Sequence, residues 1–372
     1  MNNFAEDGVT GSRAMASPYM HWAKTYQAAR FPLAVSGIKG LSVEELGATM
    51  DDIQLDGRAG YGIPELCSAL AAKAGVDASR IVLATGTSGA NHLVLATLVE
   101  EGDEIAMEHP VYEPIESLAR HLGATIRFFT RRVENGFRVD PADVAAAVTR
   151  KTKIVLISNL HNPSSDATDE ATLRAIAGNA ARVGAKVLVD EAYIDATFGQ
   201  GPPSAGTLGD EFIVTTSLTK VFGLGGLRCG WIVAEPKLAE RMRQLKNLFG
   251  VNEVHAGGCL ALTALRKSEE ILARARRILD ANRAAWHAFL DGRSDLTVAR
   301  PPFGTTSFPR VTSCDADALC ERLRTQYETS LVPGRFFGAK EHVRVGLTGD
   351  PGNFREGLDR LGRALDELAV RA

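Results

Sequence analysis

The feature that most constrains this chain is a rhythm of short apolar, β-branched runs separated by helix-like stretches. The runs fall at residues 80–84, 104–107, 125–129, 153–158, 186–190, 212–217 and 231–234, with helical patterns at 90–101, 140–148 and 169–183 between several of them. Strands that alternate with helices predict an α/β layer fold with a mostly parallel sheet. The run Ile154-Val155-Leu156-Ile157 is apolar at every position, so its sheet should be covered by helices on both faces, giving three layers. From about Ser268 the texture changes. A long helical pattern reaches Phe289, strand-like segments follow at 305–310 and 342–347, and a last helix spans 352–370. With 372 residues the chain exceeds one ordinary core. The expected division is a large domain at 41–275 and a smaller α+β domain at 276–372, the latter joined by an N-terminal segment, 1–40.

Composition excludes several function classes. Hydrophobic residues make up 45% and charged residues 23%, so the chain should bury a core rather than stay disordered. A formal charge of -3 gives no electrostatic reason to expect nucleic acid or an anionic membrane as partner. No run of roughly 18 apolar residues suggests a membrane span. Residues 1–11 carry acids and no apolar stretch, so they do not read as a secretory signal. The five cysteines (Cys67, Cys229, Cys259, Cys314 and Cys320) lack C-x-x-C spacing and read as idle thiols in a reducing cytoplasm.

In open α/β sheets ligands sit beyond the carboxyl ends of the strands. After residues 81–84 comes Thr85-Gly86-Thr87-Ser88-Gly89-Ala90, small residues leading into a helix, a pattern suited to an anion, although Ser88 reads equally as an N-cap. After 154–158 comes His161-Asn162-Pro163, which alone is a turn. Asp190-Glu191-Ala192-Tyr193 ends the next run, and a carboxylate there is as compatible with a helix cap as with chemistry. Ser217-Leu218-Thr219-Lys220 follows the run at 212–217, and its glycines, at 223, 225 and 226, come after the lysine. That order excludes a Walker A loop, and Arg228 breaks a G-x-G-x-x-G match.

Asn162-Pro163, Asp190-x-x-Tyr193, Ser217-x-x-Lys220 and Arg228, in this order, resemble the class I/II aminotransferases, the aspartate-aminotransferase-like pyridoxal-phosphate enzymes of fold type I. The resemblance extends from about Ser36 to Leu347. It implies that Lys220 carries pyridoxal phosphate covalently and acts as the base once freed. It implies that Asp190 keeps the ring nitrogen protonated, and that Tyr193 and Asn162 donate to the phenolic oxygen. Thr87, Ser88, Ser217 and Arg228, with Thr219 a weaker candidate, would hold the phosphate. Tyr112 would stack on the ring. Arg344, in the alternating segment 342–347, would clamp the substrate α-carboxylate, and the backbone of Gly37 would line the substrate pocket.

The activity so implied exchanges an amino group between an amino acid and a 2-oxo acid. The alternatives are another reaction of the same cofactor (lyase, decarboxylase or oxidase) and a non-catalytic sensor. The sensor lacks support because no basic helix-turn-helix segment is fused to the chain. A homodimer is expected because relatives build the site at a subunit interface. Two departures stand out. Tyr61 directly precedes Gly62-Ile63-Pro64-Glu65-Leu66 where relatives have an earlier tyrosine reaching the neighbouring subunit, so Tyr61 or Arg58 would substitute. Ser164-Ser165 follows Asn162-Pro163 where Thr-Gly is usual. The segment 247–258 holds Asn252, Glu253 and His255 but no arginine, which argues against aspartate and glutamate as preferred donors.

Overall fold

The structure is a computed structural model that describes residues 13–26, 28–57 and 60–369. The N-terminal stretch 1–11 and Arg58 therefore lie outside the described residues. Seven strands form the central sheet: β1 (Ile81–Thr85), β2 (Glu104–His109), β3 (Thr125–Thr130), β4 (Thr152–Ser158), β5 (Lys186–Asp190), β6 (Phe212–Ser217) and β7 (Cys229–Val233), in the spatial order β1-β7-β6-β5-β4-β2-β3. β2 pairs in parallel with β3 and β4, and β4, β5 and β6 continue the parallel ladder. Only β7 runs against its neighbours β1 and β6. The carboxyl ends of the other six strands and the start of β7 thus share one edge of the sheet.

Alternation along the strands explains the three layers. Ile154 and Leu156 of β4 pack with Val82, Ile105, Met107, Leu188, Ile213 and Ile232 under the helices Gly86–Leu98 and Pro236–Lys246. Val155 and Ile157 point to the other face, with Val187, Val189, Val214 and Trp231 under the helix Glu170–Ala181. All four of these β4 side chains are buried, and their burial on both faces is why the run shows no polar alternation.

A second core gathers Leu319, Leu323, Val343, Val345, Phe354, Leu358 and Leu361, and Leu33 and Ile38 of the N-terminal segment belong to it. The helix Ser268–Asp291 joins the two cores, burying Ile271 in the sheet core and Ala275, Leu279, Trp286 and Leu290 in the second. The transition between the cores therefore runs along a continuous helix and has no linker. The strand-like stretch at 305–310 is two short pieces, Thr306–Ser307 and Arg310–Val311, paired to different partners. Among the described residues no helix is long and apolar enough to cross a membrane.

Candidate active site

The first helix after the sheet's edge strand begins at Gly86, four residues ahead of the apolar pattern, and its N-cap Thr85 makes no side-chain cap bond. Ser88 is thus in the first turn and does not serve as the cap. The early start depends on glycine. Gly86 has φ +69°, and a Cβ there would lie 2.4 Å from the Arg228 guanidinium. Arg228, itself left-handed at φ 53°, precedes β7 and donates to the carbonyls of Thr85 at 3.1 Å and Gly225 at 3.3 Å. Thr87 donates to the Ser217 hydroxyl at 2.8 Å. A helix start, three hydroxyls and a guanidinium therefore converge, the donor set an anion requires.

This anion site is one end of a cavity of about 260 Å³ whose lining includes Thr87, Ser88, Tyr112, Asn162, Asp190, Tyr193, Ser217, Thr219, Lys220 and Arg228. Residues spread over more than a third of the chain meet there because each follows a strand that ends at the same edge. Asp190 ends β5 buried at the cavity wall and accepts from Asn91 Nδ2 at 2.8 Å and from the Ala192 amide at 3.0 Å. Burial pushes its carboxyl above the ordinary range, opposed by the Asn91 bond, the Ala192 amide and the Lys220 charge. It caps no α-helix. Lys220 Nζ donates to Ser36 Oγ at 3.2 Å and sits 5.6 Å from the centre of the Tyr193 ring. Ser36 Oγ also accepts from Tyr193 OH at 2.9 Å.

Gly37 and Arg344 are not among the residues that line this cavity. The Gly37 α-carbon faces the backbone of Thr219 and Lys220, with carbonyls 3.5 and 3.6 Å from where a Cβ would stand. Arg344, on the strand Val343–Gly346, is buried one side chain behind the cavity wall. Its Nη1 donates to Asn162 Oδ1 at 3.0 Å, its Nη2 to Tyr19 OH at 3.0 Å and to the Ala34 carbonyl at 3.3 Å, and its buried Nε has no partner among the described residues. Tyr61 is on the surface, where its hydroxyl accepts from Asn247 at 3.2 Å.

The altered turn after Pro163 is built from its serines. Ser164 Oγ meets His161 Nδ1 at 2.7 Å. Ser165 holds the left-handed conformation at φ 66° and bonds the Thr306 carbonyl at 2.8 Å, tying this turn to the second core.

Sequence reasoning missed Asn91, Ser36 and Tyr19. Asn91 had a signal: it is a carboxamide three residues after Ser88 in a helix whose neighbouring positions, Ala90, Leu93, Val94 and Leu95, are apolar and buried. Ser36 and Tyr19 had none, since their partners lie 157 and 325 residues away.

Glu191, next to Asp190, accepts from Ser204 Oγ and the Ala205 amide at 2.7 Å each. Burial pushes its carboxyl from 4.5 to about 7. A raised acid binds more protons folded than unfolded, so its contribution is present below pH 4.5 and is lost as pH rises to 7, about 3 kcal/mol in all. Glu191→Gln keeps an acceptor for Ala205 and a donor for Ser204. The variant should gain about 2–3 kcal/mol on wild type between pH 5 and 8 in denaturant unfolding, and a constant difference would refute the assignment.

A lysine, a buried carboxylate and a cluster of hydroxyls with a guanidinium thus line one cavity. Comparison with known proteins supplies the family. The family described as "Aminotransferase class I and II" matches residues 58–361. Capreomycidine synthase of Streptomyces vinaceus is 28% identical over 373 residues, covering 94% of both chains. The arginine–pyruvate transaminase AruH of Pseudomonas aeruginosa is 30% identical over 307 residues, 80% of this chain and 77% of its own. A pyridoxal-phosphate-dependent aminotransferase from Streptococcus suis superposes with a TM-score of 0.87 at 27% identity, covering 94% of this chain and 97% of its own. The chain belongs to the class I and II aminotransferase family, and it is a pyridoxal-phosphate-dependent transaminase of the aspartate-aminotransferase-like fold.

Proposed function

We propose that this chain moves amino groups with Lys220 and Asp190 gripping opposite ends of one cofactor ring, and with a donor whose side chain is not a second carboxylate. The observation that carries this reading is the single cavity onto which Lys220, Asp190, Tyr193, Asn162 and the Thr87–Ser88–Ser217–Arg228 cradle all open. The donor set fits the group: four anion-binding side chains for the phosphate, a buried acid for the ring nitrogen and an amine for the aldehyde. Pyridoxal phosphate, when bound, supplies an aldehyde that takes up amines and a ring that accepts electrons from the bond beside a bound amino group.

The protein does the rest. Lys220 would anchor the aldehyde end and, with its amine free, would act as the base for the substrate Cα proton. Ser36 and Tyr193 steady that amine through the shared Ser36 hydroxyl. Asp190 would keep a proton on the ring nitrogen, and Tyr112 would cover a ring face. Arg344, behind Asn162, would clamp the α-carboxylate, and the Gly37 backbone, packed against Thr219 and Lys220, would line the substrate pocket.

The assembly proposed is a homodimer. Leu55, Leu248, Phe249, Val251 and Val254 are exposed on segments joined by the Asn247–Tyr61 bond, and Val254 and Arg228 border a common recess. An apolar surface beside the cradle suits a second copy of the chain. The proposed organisation keeps 41–275 as cofactor domain and 276–372 with the N-terminal segment as small domain. The five free thiols support a cytoplasmic location.

Steady-state comparison of glutamate, alanine, arginine and aromatic donors tests the donor class, and a large preference for aspartate or glutamate would overturn it. Transfer is told apart from the other reactions of the same cofactor by its products. Stoichiometric conversion of the cofactor from aldehyde to amine form without ammonia or pyruvate release marks transamination, and turnover that releases ammonia or carbon dioxide marks another reaction. Sedimentation as a monomer at micromolar concentration would rule out the dimer.

A further inference from the structure

Asp190 is held by a second polar side chain that is itself held. Asn91, on the helix that opens at the anion cradle, is 3% exposed and directs Nδ2 onto Asp190 Oδ2 at 2.8 Å. Its Oδ1 accepts the Thr215 hydroxyl at 2.6 Å, and Thr215 is fully buried on β6 directly across the ladder from Asp190. The three side chains form a chain of donors, Thr215 to Asn91 to Asp190. An ionised carboxylate only accepts, so it requires the NH₂ end of the amide. The Thr215 hydroxyl, by donating to the other end, opposes the flip that would turn a carbonyl toward the acid.

We propose that Asn91, oriented by Thr215, is the positioning residue that keeps Asp190 ionised and aimed across the cavity. The inference rests on Asp190 facing the cofactor ring. Burial opposes a charge at Asp190. Apart from Lys220 across the cavity, the ionisable groups that bear on it, Glu191 and Tyr112, add no positive charge. The Ala192 amide supplies one donor to Oδ1, and Asn91 supplies the one to Oδ2. The Glu191 carboxylate is turned to Ser204 and Ala205.

The test follows Asp190 itself. Infrared titration of the full-length protein stripped of cofactor, with the Asp190→Asn spectrum subtracted, reads its carboxyl directly. Asn91→Leu should move that titration up by about one to two pH units, the worth of a hydrogen bond to a charged group. Thr215→Val, which changes no volume, should move it less in the same direction, and Thr215→Ser should restore it. In the holoenzyme, the pH midpoint of the visible band should move in Asn91→Leu, with faster loss of cofactor on dialysis. A purely structural role would lower the melting temperature of these variants and leave the Asp190 titration in place, and that result overturns the proposal. Should Asn91→Leu fail to fold, the Thr215→Val titration decides alone. If Asp190→Asn itself leaves the holoenzyme spectrum and cofactor retention unchanged, the cofactor-facing reading of Asp190 has failed. If that variant changes both while Asn91→Leu titrates as wild type, only the Asn91 proposal has failed.

Discussion

Lys220→Ala is expected to lose the visible band that borohydride removes from the wild-type protein, and to lose at least about 10²–10⁴ of kcat with it. Two functions go together in this change, the covalent anchor and the base at the substrate Cα. The cavity should survive, because Lys220 Nζ makes its hydrogen bond to Ser36 and no ion pair involves it among the described residues. The backbone bond from the Ile38 amide to the Lys220 carbonyl at 2.8 Å, which seats the N-terminal segment, does not depend on the side chain. Pyridoxal phosphate should therefore still bind the variant through the anion cradle, and small primary amines added to the buffer should restore part of the rate. Absorption before and after borohydride, with mass analysis of the reduced protein, decides the matter. A variant that keeps the reducible band and the wild-type rate would remove Lys220 from its role.

The second large effect is expected at the other end of the cavity. Asp190→Asn preserves shape but replaces the only carboxylate among the lining residues with a neutral amide. A preorganised charge in a buried site is worth far more than in water, and removing one such group typically costs about 10²–10³ in kcat. The loss should fall on kcat, since Lys220, Asn162 and Arg344 are untouched. Donor KM should stay within a few-fold. Half-reaction kinetics with a Cα-deuterated donor check the assignment: proton removal should become slower and the isotope effect larger. An Asp190→Asn enzyme with wild-type kcat would show that the acid is structural, as a carboxylate at a strand end often is.

Much of the architecture was legible because it depends on local patterns. The runs at 80–84, 153–158, 186–190 and 212–217 were readable as strands since burial on both faces favours nearly continuous apolar residues. Lys220, Asp190 and Arg228 stood out through the ordered set of motifs that resembles the aminotransferase family, since a carboxylate at a strand end by itself reads equally as a cap. The start of the helix Gly86–Leu98 was misplaced by four residues, since a glycine-rich first turn shows no apolar period and its cap has no side-chain bond. The stretch 305–310 was read as one strand although its two halves pair with different partners, a choice made by neighbours far away in the chain.

By itself the sequence determined which segments form the central sheet, their order along the chain, and which residue types follow each strand, because periodicity and residue type are properties of neighbouring positions. Only the tertiary structure decided that β7 runs backward, so that Arg228 arrives at the same edge as Ser217 and Thr87. It alone joined Thr215, Asn91 and Asp190, brought Ser36 to Lys220, and set Arg344 behind Asn162 against Tyr19. Those contacts bridge distant parts of the chain, and strand pairing and helix packing create them with little trace in the local pattern beyond the polar Asn91 among apolar neighbours.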